Sequence, residues 1–232
     1  MQTRQHIPEI MDDPGLDPAE HEGALRGLRR INRFSRSASA VWKPIARACR
    51  EANGKTLRVL DLACGGGDVA LGIARKAQSA GLPIEIHGAD LSEQAVEIAR
   101  RTAKEQGIDA AFFRLDAVNE AIPPGYDILM STLFLHHLKE SDAVKLLRAM
   151  TTSAGRMVLI DDLIRSQAGY ALAWAGCRLL SRSRVVHHDG PVSVAGAFRI
   201  DEIRRMASAA GIEGSLIQRH WPERFLLSWS RP

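Results

Sequence analysis

Leu57-Arg58-Val59-Leu60-Asp61-Leu62-Ala63-Cys64-Gly65-Gly66-Gly67-Asp68 is the stretch whose reading decides the fold. A short apolar run with an acid near its end is followed by three glycines, then by an apolar stripe at Val69, Ile73 and Ala77. That order spells strand, tight turn and helix start. Glycine lacks a Cβ, so such a turn lets bare backbone approach a ligand.

The alternation continues downstream. Residues 84–89, 111–115, 126–132 and 156–160 read as further strands, and 140–150 reads as a helix. Ser92 is placed to cap a helix through Val96, Ala99 and Ala103 that stops at Gly107. After a helix at 198–210, residues 213–218 and 224–229 read as two strands joined through Trp221-Pro222-Glu223. A short connection cannot make parallel neighbours, so one of these two must run antiparallel. The fold class expected is α/β: a doubly wound, mostly parallel seven-stranded sheet with an antiparallel C-terminal strand. Residues 1–19 read as a flexible tail and 20–54 as an N-terminal helical cap, with Pro44 near the first turn of its second helix. The main domain is then 55–232, with a helical or loop insertion at about 166–197 that is apolar on nearly every side.

At 232 residues, 45% hydrophobic and 25% charged, the chain is long and apolar enough for one globular core. Its three cysteines, Cys49, Cys64 and Cys177, are an odd number without metal-ligand spacing, which is reduced-thiol usage and implies a cytoplasmic location. Residues 1–17 lack the apolar core of a signal peptide. The most apolar window, 168–180, contains Arg178 and is shorter than the roughly 20 residues a bilayer span needs, so stable membrane insertion is not expected. The net charge of +4 gathers between Arg26 and Arg50. Such a run is either a phosphate-binding patch or a solvated helix face, and the second reading is preferred, so no nucleic-acid partner is expected.

In an open parallel sheet, ligands bind beyond the carboxyl ends of the strands where strand order reverses. Three strand ends here carry acids, Asp61, Asp90 and Asp116, and the fourth ends near Thr132. One elongated ligand suits that rim. A nucleoside triphosphate wants Lys and Ser/Thr after the glycines, whereas this loop continues with Asp68. Gly65 to Ala70 also fits G-x-G-x-x-A, which keeps a dinucleotide open.

Taken together, Asp61-Leu62-Ala63-Cys64-Gly65-Gly66-Gly67, Asp90, Asp116-Ala117 and the closing pair of strands resemble the class I S-adenosylmethionine-dependent methyltransferases over roughly residues 55–230. Ala63 stands where many members have glycine. The resemblance implies a Rossmann-like methyltransferase fold and S-adenosylmethionine as cofactor. It further implies that Asp61 with the backbone of Ala63, Gly65 and Gly67 holds the cofactor's amino-acid end. Asp90 would take the ribose hydroxyls, Leu91 the adenine face, Asp116 and Ala117 the adenine edge, and Thr132 would complete the site. A carboxylate accepts from a diol or an exocyclic amine, and a helix N-terminus favours a carboxylate, so the chemistry agrees.

The exit of the fourth strand, Ser131-Thr132-Leu133-Phe134-Leu135-His136-His137-Leu138, lacks the Asn-Pro-Pro-aromatic or Asp-Pro-Pro-aromatic turn of base-amino methyltransferases and resembles the small-molecule branch, quinone and polyketide enzymes among them. The run Asp161-Asp162-Leu163-Ile164-Arg165 through His188-Asp189-Gly190-Pro191 resembles bacterial methyltransferases found beside type III polyketide synthases, with Asp161 in place of an asparagine. The acceptor implied is a hydrophobic aromatic small molecule, a phenolic lipid, polyketide or quinol, methylated on oxygen. A phenol with pKa about 10 is largely un-ionised at neutral pH, so a base is useful. His137, His188 and His136 are the expected catalytic residues, with His187 a further candidate. Asp161-Asp162 invites a metal, but the fourth strand offers no acid at its exit, so no metal is expected. Other readings are an RNA methyltransferase, a non-catalytic cofactor-binding partner protein and an NAD-dependent oxidoreductase. The oligomeric state is not legible from the sequence.

Overall fold

The computed structural model describes residues 1, 3–13 and 15–231. Seven strands form one sheet in the order β3-β2-β1-β4-β5-β7-β6. They are β1 (Leu57–Leu62), β2 (Ile84–Asp90), β3 (Ala111–Arg114), β4 (Ile128–Thr132), β5 (Met157–Leu163), β6 (Leu216–His220) and β7 (Arg224–Ser230). β1 to β5 are parallel, β7 pairs antiparallel with β5 (Leu159 opposite Ser228), and β6 pairs antiparallel with β7. The sequence grows outward from β1 to β3 on one side and from β4 to β5 on the other, so the β1/β4 boundary is the switch point.

Both faces are covered, which is why the central strands are buried almost without alternation. On one face α2 (Ser37–Glu51), α3 (Asp68–Ala80) and α4 (Glu93–Glu105) pack around Val59, Ile73, Ile86 and Met130. On the other, α5 (Glu140–Ser153) and α8 (Ile200–Ala209) pack around Leu60, Leu146, Ile203 and Phe225. Ser92 caps α4 as its position predicts, and Gly107 adopts φ +62°.

The N-terminal helices are α1 (Pro18–Phe34), capped by Asp17, and α2. α2 begins at Ser37, so Pro44 lies inside it rather than near its first turn. Between the two helices, Ser35 and Ser37 accept from the Arg224 guanidinium, which also binds Asp161 at 2.6 Å. Asp161 and Arg224 are both enclosed, and this pair ties α2 to β5 and β7.

One stretch differs from its sequence reading. The described residues among 1–19, read as a flexible tail, are held across the rim. The Arg4 side chain donates to the carbonyls of Gly196, His136 and Leu138, and the Asp189 carboxylate accepts from the Ile10 and Met11 amides. These partners are remote in sequence, so no local pattern announces them. The insertion is two helices, α6 (Gln167–Leu180) and α7 (Arg184–Gly196), capped by Ser166 and Ser183. Gly190 and Pro191 lie within α7. A Cβ at Gly190 would sit 2.2 Å from Cys177 Sγ, so this glycine is what lets α7 press against α6.

Candidate active site

A cleft of about 1130 Å³ opens beyond the carboxyl ends of β1 to β4. That exceeds the ~300–1,000 Å³ typical of a single small-molecule site, leaving room for two ligands end to end. α1 walls one side and α6 with α7 the other, and residues 9–13 lie along the rim.

At one end the turn after β1 lays backbone against the cavity. Ala63, Gly65 and Gly67 all have positive φ, of 57°, 53° and 75°. At Gly67 a Cβ would sit 2.8 Å from the Phe112 ring, so any side chain there is excluded. The ring of amides at the start of α3 faces the cleft, as does Asp68, which accepts from Asn32 Nδ2 at 2.8 Å. Behind the turn Asp61 is fully enclosed, and neither of its oxygens has a hydrogen-bond partner. Burial, reinforced by the like charges of Asp68 and Asp90, pushes its carboxyl well above the usual range. Burial also raises Asp68 against the bond from Asn32, and raises Asp90 against the amides of Ser92 and Gly65.

Asp90 Oδ2 accepts from Gly65 N at 2.7 Å and Oδ1 from Ser92 N at 2.9 Å, so it ties the ends of β1 and β2 together while still lining the cleft. Leu91 presents 56% of its surface at the rim, open to pack a planar ring. Asp116 lines the same end, but its carboxylate turns back to the amides of Val118 and Asn119 and the Asn119 side chain. The Asn119 side-chain bond comes first among the contacts holding its carboxyl below the usual range. Ala117 and Thr132 complete this end.

Half-buried Asp68 and Asp90 line the cleft beside the glycine turn, with Asp61 enclosed behind them and without a donor, and this concentration of acids favours a cation. S-Adenosylmethionine carries an ammonium and a sulfonium, and its carboxylate can meet the α3 N-terminus and Arg29. The residues present therefore fit it. The sequence reading missed the contribution of α1. His21, Leu25, Leu28, Arg29 and Asn32 all line the cleft, and their spacing near 3.6 is a face that periodicity could have found.

The other end of the cleft holds the histidine pair that follows β4. His136 is buried, and its Nδ1 lies 2.6 Å from Asp162 Oδ1. Burial works against its charge, but Asp162 and Glu9 outweigh it and hold the imidazole pKa up at about 10. His137 Nδ1 lies 3.0 Å from Asp12 Oδ2. Glu9 reaches in from the rim, with Oε1 3.6 Å from His136 Nε2, 3.8 Å from His137 Nε2 and 2.5 Å from the Ser193 hydroxyl, which donates to it. Despite burial, the neighbouring His136 and His137 imidazoles keep the Glu9 carboxyl below its usual range. Around this polar cluster the walls are apolar: Phe134, Leu172, Ala173, Leu180 and Val194.

His188 is not brought here. It sits on α7 with its side chain 48% exposed, bonded to Asp189 and absent from the cleft lining. His187 is likewise turned away, bonded to the Ser181 carbonyl. The structure thus does not bring His188, expected as a catalytic residue, to the cleft, because it lies on the outward side of α7. Asp161 and Asp162, which invited a metal, are taken up by Arg224 with His220 and by His136.

Residues 59–154 match the methyltransferase domain family. Among curated relatives, the ubiquinone biosynthesis O-methyltransferase of Thiobacillus denitrificans is 29% identical over 203 residues, covering 79% of this chain and 82% of that protein. Its counterpart in Vibrio cholerae is 30% identical over 125 residues, covering 53% of this chain and 49% of that one, so the chain spans about half of this second relative. Among solved structures, magnesium protoporphyrin IX methyltransferase from Synechocystis with bound SAH superposes with a TM-score of 0.59 at 18% identity, covering 96% of this chain and 91% of that one. A SAM-dependent methyltransferase from Aquifex aeolicus gives 0.61 at 15%, covering 93% and 98%. Among the described residues no helix is long and apolar enough to cross a membrane.

Proposed function

We propose, from the premise that this chain is a class I S-adenosylmethionine-dependent methyltransferase, that its acceptor is a hydroxyl on an apolar aromatic small molecule. The observation that carries this reading is the acceptor end of the cleft: apolar walls from α6, α7 and Phe134 around one polar cluster, Glu9, His136 and His137. Apolar walls take the ring and any alkyl chain, and the polar cluster takes the hydroxyl. S-Adenosylmethionine supplies an electrophilic methyl, transferred in line with the departing sulfur. Positioning the two reactants accounts for much of the rate.

We assign Asp61, Asp90, Leu91, Asp116, Ala117, Thr132 and the backbone of Ala63, Gly65 and Gly67 to the cofactor. Asp68, Arg29 and Asn32 join them from the cleft lining. At the acceptor end, the cluster takes charge of the hydroxyl proton. An ionised carboxylate only accepts, so Asp12 fixes the proton of His137 on Nδ1 and leaves Nε2 toward the cleft. His137→Ala is expected to lower turnover about 10²- to 10⁴-fold with little change in cofactor affinity, and His188→Ala to change neither much.

The relatives named for ubiquinone biosynthesis favour a quinol, and the apolar α6 equally suits a phenolic lipid or polyketide. Three buried free thiols support a reducing, cytoplasmic setting. The test is incubation with isotopically labelled methyl donor and a panel of alkylresorcinols, alkylpyrones and quinols, read by mass. Label on a phenolic oxygen supports the reading; label only on added RNA, or on no member of the panel, overturns it.

A further inference from the structure

The carboxylate and two imidazoles at the acceptor end are arranged in a way that hydrogen bonding alone leaves unexplained. Glu9 Oε1 lies 3.6 Å from His136 Nε2 and 3.8 Å from His137 Nε2, and the three ligand atoms lie within 4.8 Å of one another. Those two separations are too long for good hydrogen bonds. Two ligands bonded at about 2.0–2.1 Å to one tetrahedral ion stand about 3.4 Å apart, close to what is seen.

The far side of each ring makes the same point independently. A metal-ligating histidine characteristically gives its other ring nitrogen to a carboxylate, which fixes the tautomer and aims the free nitrogen at the ion. Here both histidines do so: His136 Nδ1 to Asp162 at 2.6 Å and His137 Nδ1 to Asp12 at 3.0 Å. Glu9 is oriented too, by the Ser193 hydroxyl at 2.5 Å. The cluster draws on the rim segment, the exit of β4, the end of β5 and α7; Glu9, His136 and His137 line the cavity, with Asp162 enclosed behind them.

We propose that Glu9, His136 and His137 bind one divalent transition-metal ion of the zinc type, which displaces the Nε2 proton of His136 to solvent, with at least one position open to the cleft. Two nitrogens, one carboxylate oxygen and an open position are the donor set of catalytic rather than structural zinc. Binding would place the ion where the acceptor's hydroxyl is expected, a role that rests on the function proposed above; the binding itself does not. With the ion bound, both Nε2 atoms are ligands and cannot take a proton, so in the methyl transfer the acceptor O–H breaks and its proton passes to water rather than to His137. The O–CH₃ bond forms as the S–CH₃ bond breaks, and neutral S-adenosylhomocysteine leaves. A positive ion at the oxygen lowers the pKa of that hydroxyl.

The test needs no acceptor. The purified full chain, stripped with a chelator, is titrated with Co²⁺ and with Zn²⁺ and assayed by visible spectroscopy and elemental analysis. One ion per chain is expected. Affinity should fall at least about tenfold in Glu9→Gln and in His137→Ala, and stay unchanged in His188→Ala. X-ray absorption on the zinc-loaded wild type gives a reading that does not depend on any variant folding. Two imidazoles with oxygen ligands support the site, whereas sulfur in the shell assigns the ion to cysteine and overturns it. Absence of stoichiometric binding, or binding indifferent to both variants, also overturns it. Stoichiometric binding with no phenol methylated would leave the metal site standing and overturn the acceptor reading alone.

Discussion

Asp61 is enclosed with no donor for either oxygen, and burying an unpaired carboxylate is costly enough that the group holds a proton instead. Its folded pKa is raised, so the stability it contributes is full below the unfolded value of about 3.9 and is lost as pH rises through the folded value. Asp68 and Asp90 shift the same way. The ligand-free protein should therefore lose thermal stability with rising pH over that window, and Asp61→Asn should flatten part of the loss. A bound ammonium favours the ionised form, so S-adenosylmethionine should bind more tightly as pH rises, with proton release measurable by calorimetry in buffers of different ionisation enthalpy. Asp61→Asn should weaken cofactor binding on the order of ten- to a hundredfold, the worth of a hydrogen bond to a charged group. Uptake rather than release of protons would contradict this account. At Ala63 the argument is about backbone. Its φ of 57° is strained for an L-residue, so Ala63→Gly should raise stability by up to about 1 kcal/mol in urea melts.

At the level of elements, the Asp161–Arg224 pair decides how the antiparallel end joins the parallel sheet. Both groups are enclosed, and Arg224 also holds the serines that open α2. Asp161→Asn leaves a buried guanidinium short of its counter-charge and should cost about 3–5 kcal/mol in denaturant titrations; Asp161→Asn with Arg224→Met should recover much of it. Strands and helices of the doubly wound core were legible because their signals are local: a period of two or 3.6, glycines at turns, Ser92 at a cap. The glycine turn after β1 was legible for the same reason. The insertion was legible only as helical or loop, because its residues are apolar on nearly every side and leave no period to read. The meeting of Glu9 with His136 and His137 was not legible, being a tertiary contact with no sequence period behind it.

For the whole molecule, the cleft is built in two halves from different parts of the chain. The strand ends and α1 line the end assigned above to the cofactor, whereas the rim segment, α6 and α7 line the end assigned to the acceptor. Arg4 bridges the carbonyls of His136, Leu138 and Gly196, and Asp189 grips Ile10 and Met11, so the rim segment also fixes the loop after β4 against α7. The two halves should then be separable. A chain lacking residues 1–13 loses Glu9 and Asp12 together with these clamps, but keeps Asp61, Asp68, Asp90 and the glycine turn. Its affinity for S-adenosylmethionine should stay within a few fold of the full chain, so that saturating cofactor still stabilises it by about 2.7 kcal/mol at a hundred times Kd. Its turnover on any acceptor should drop at least about a hundredfold, because misplaced groups and admitted water both act on the transferring step. Equal losses of cofactor affinity and turnover would mean that the rim segment supports the entire cleft, and that the division into two halves is wrong.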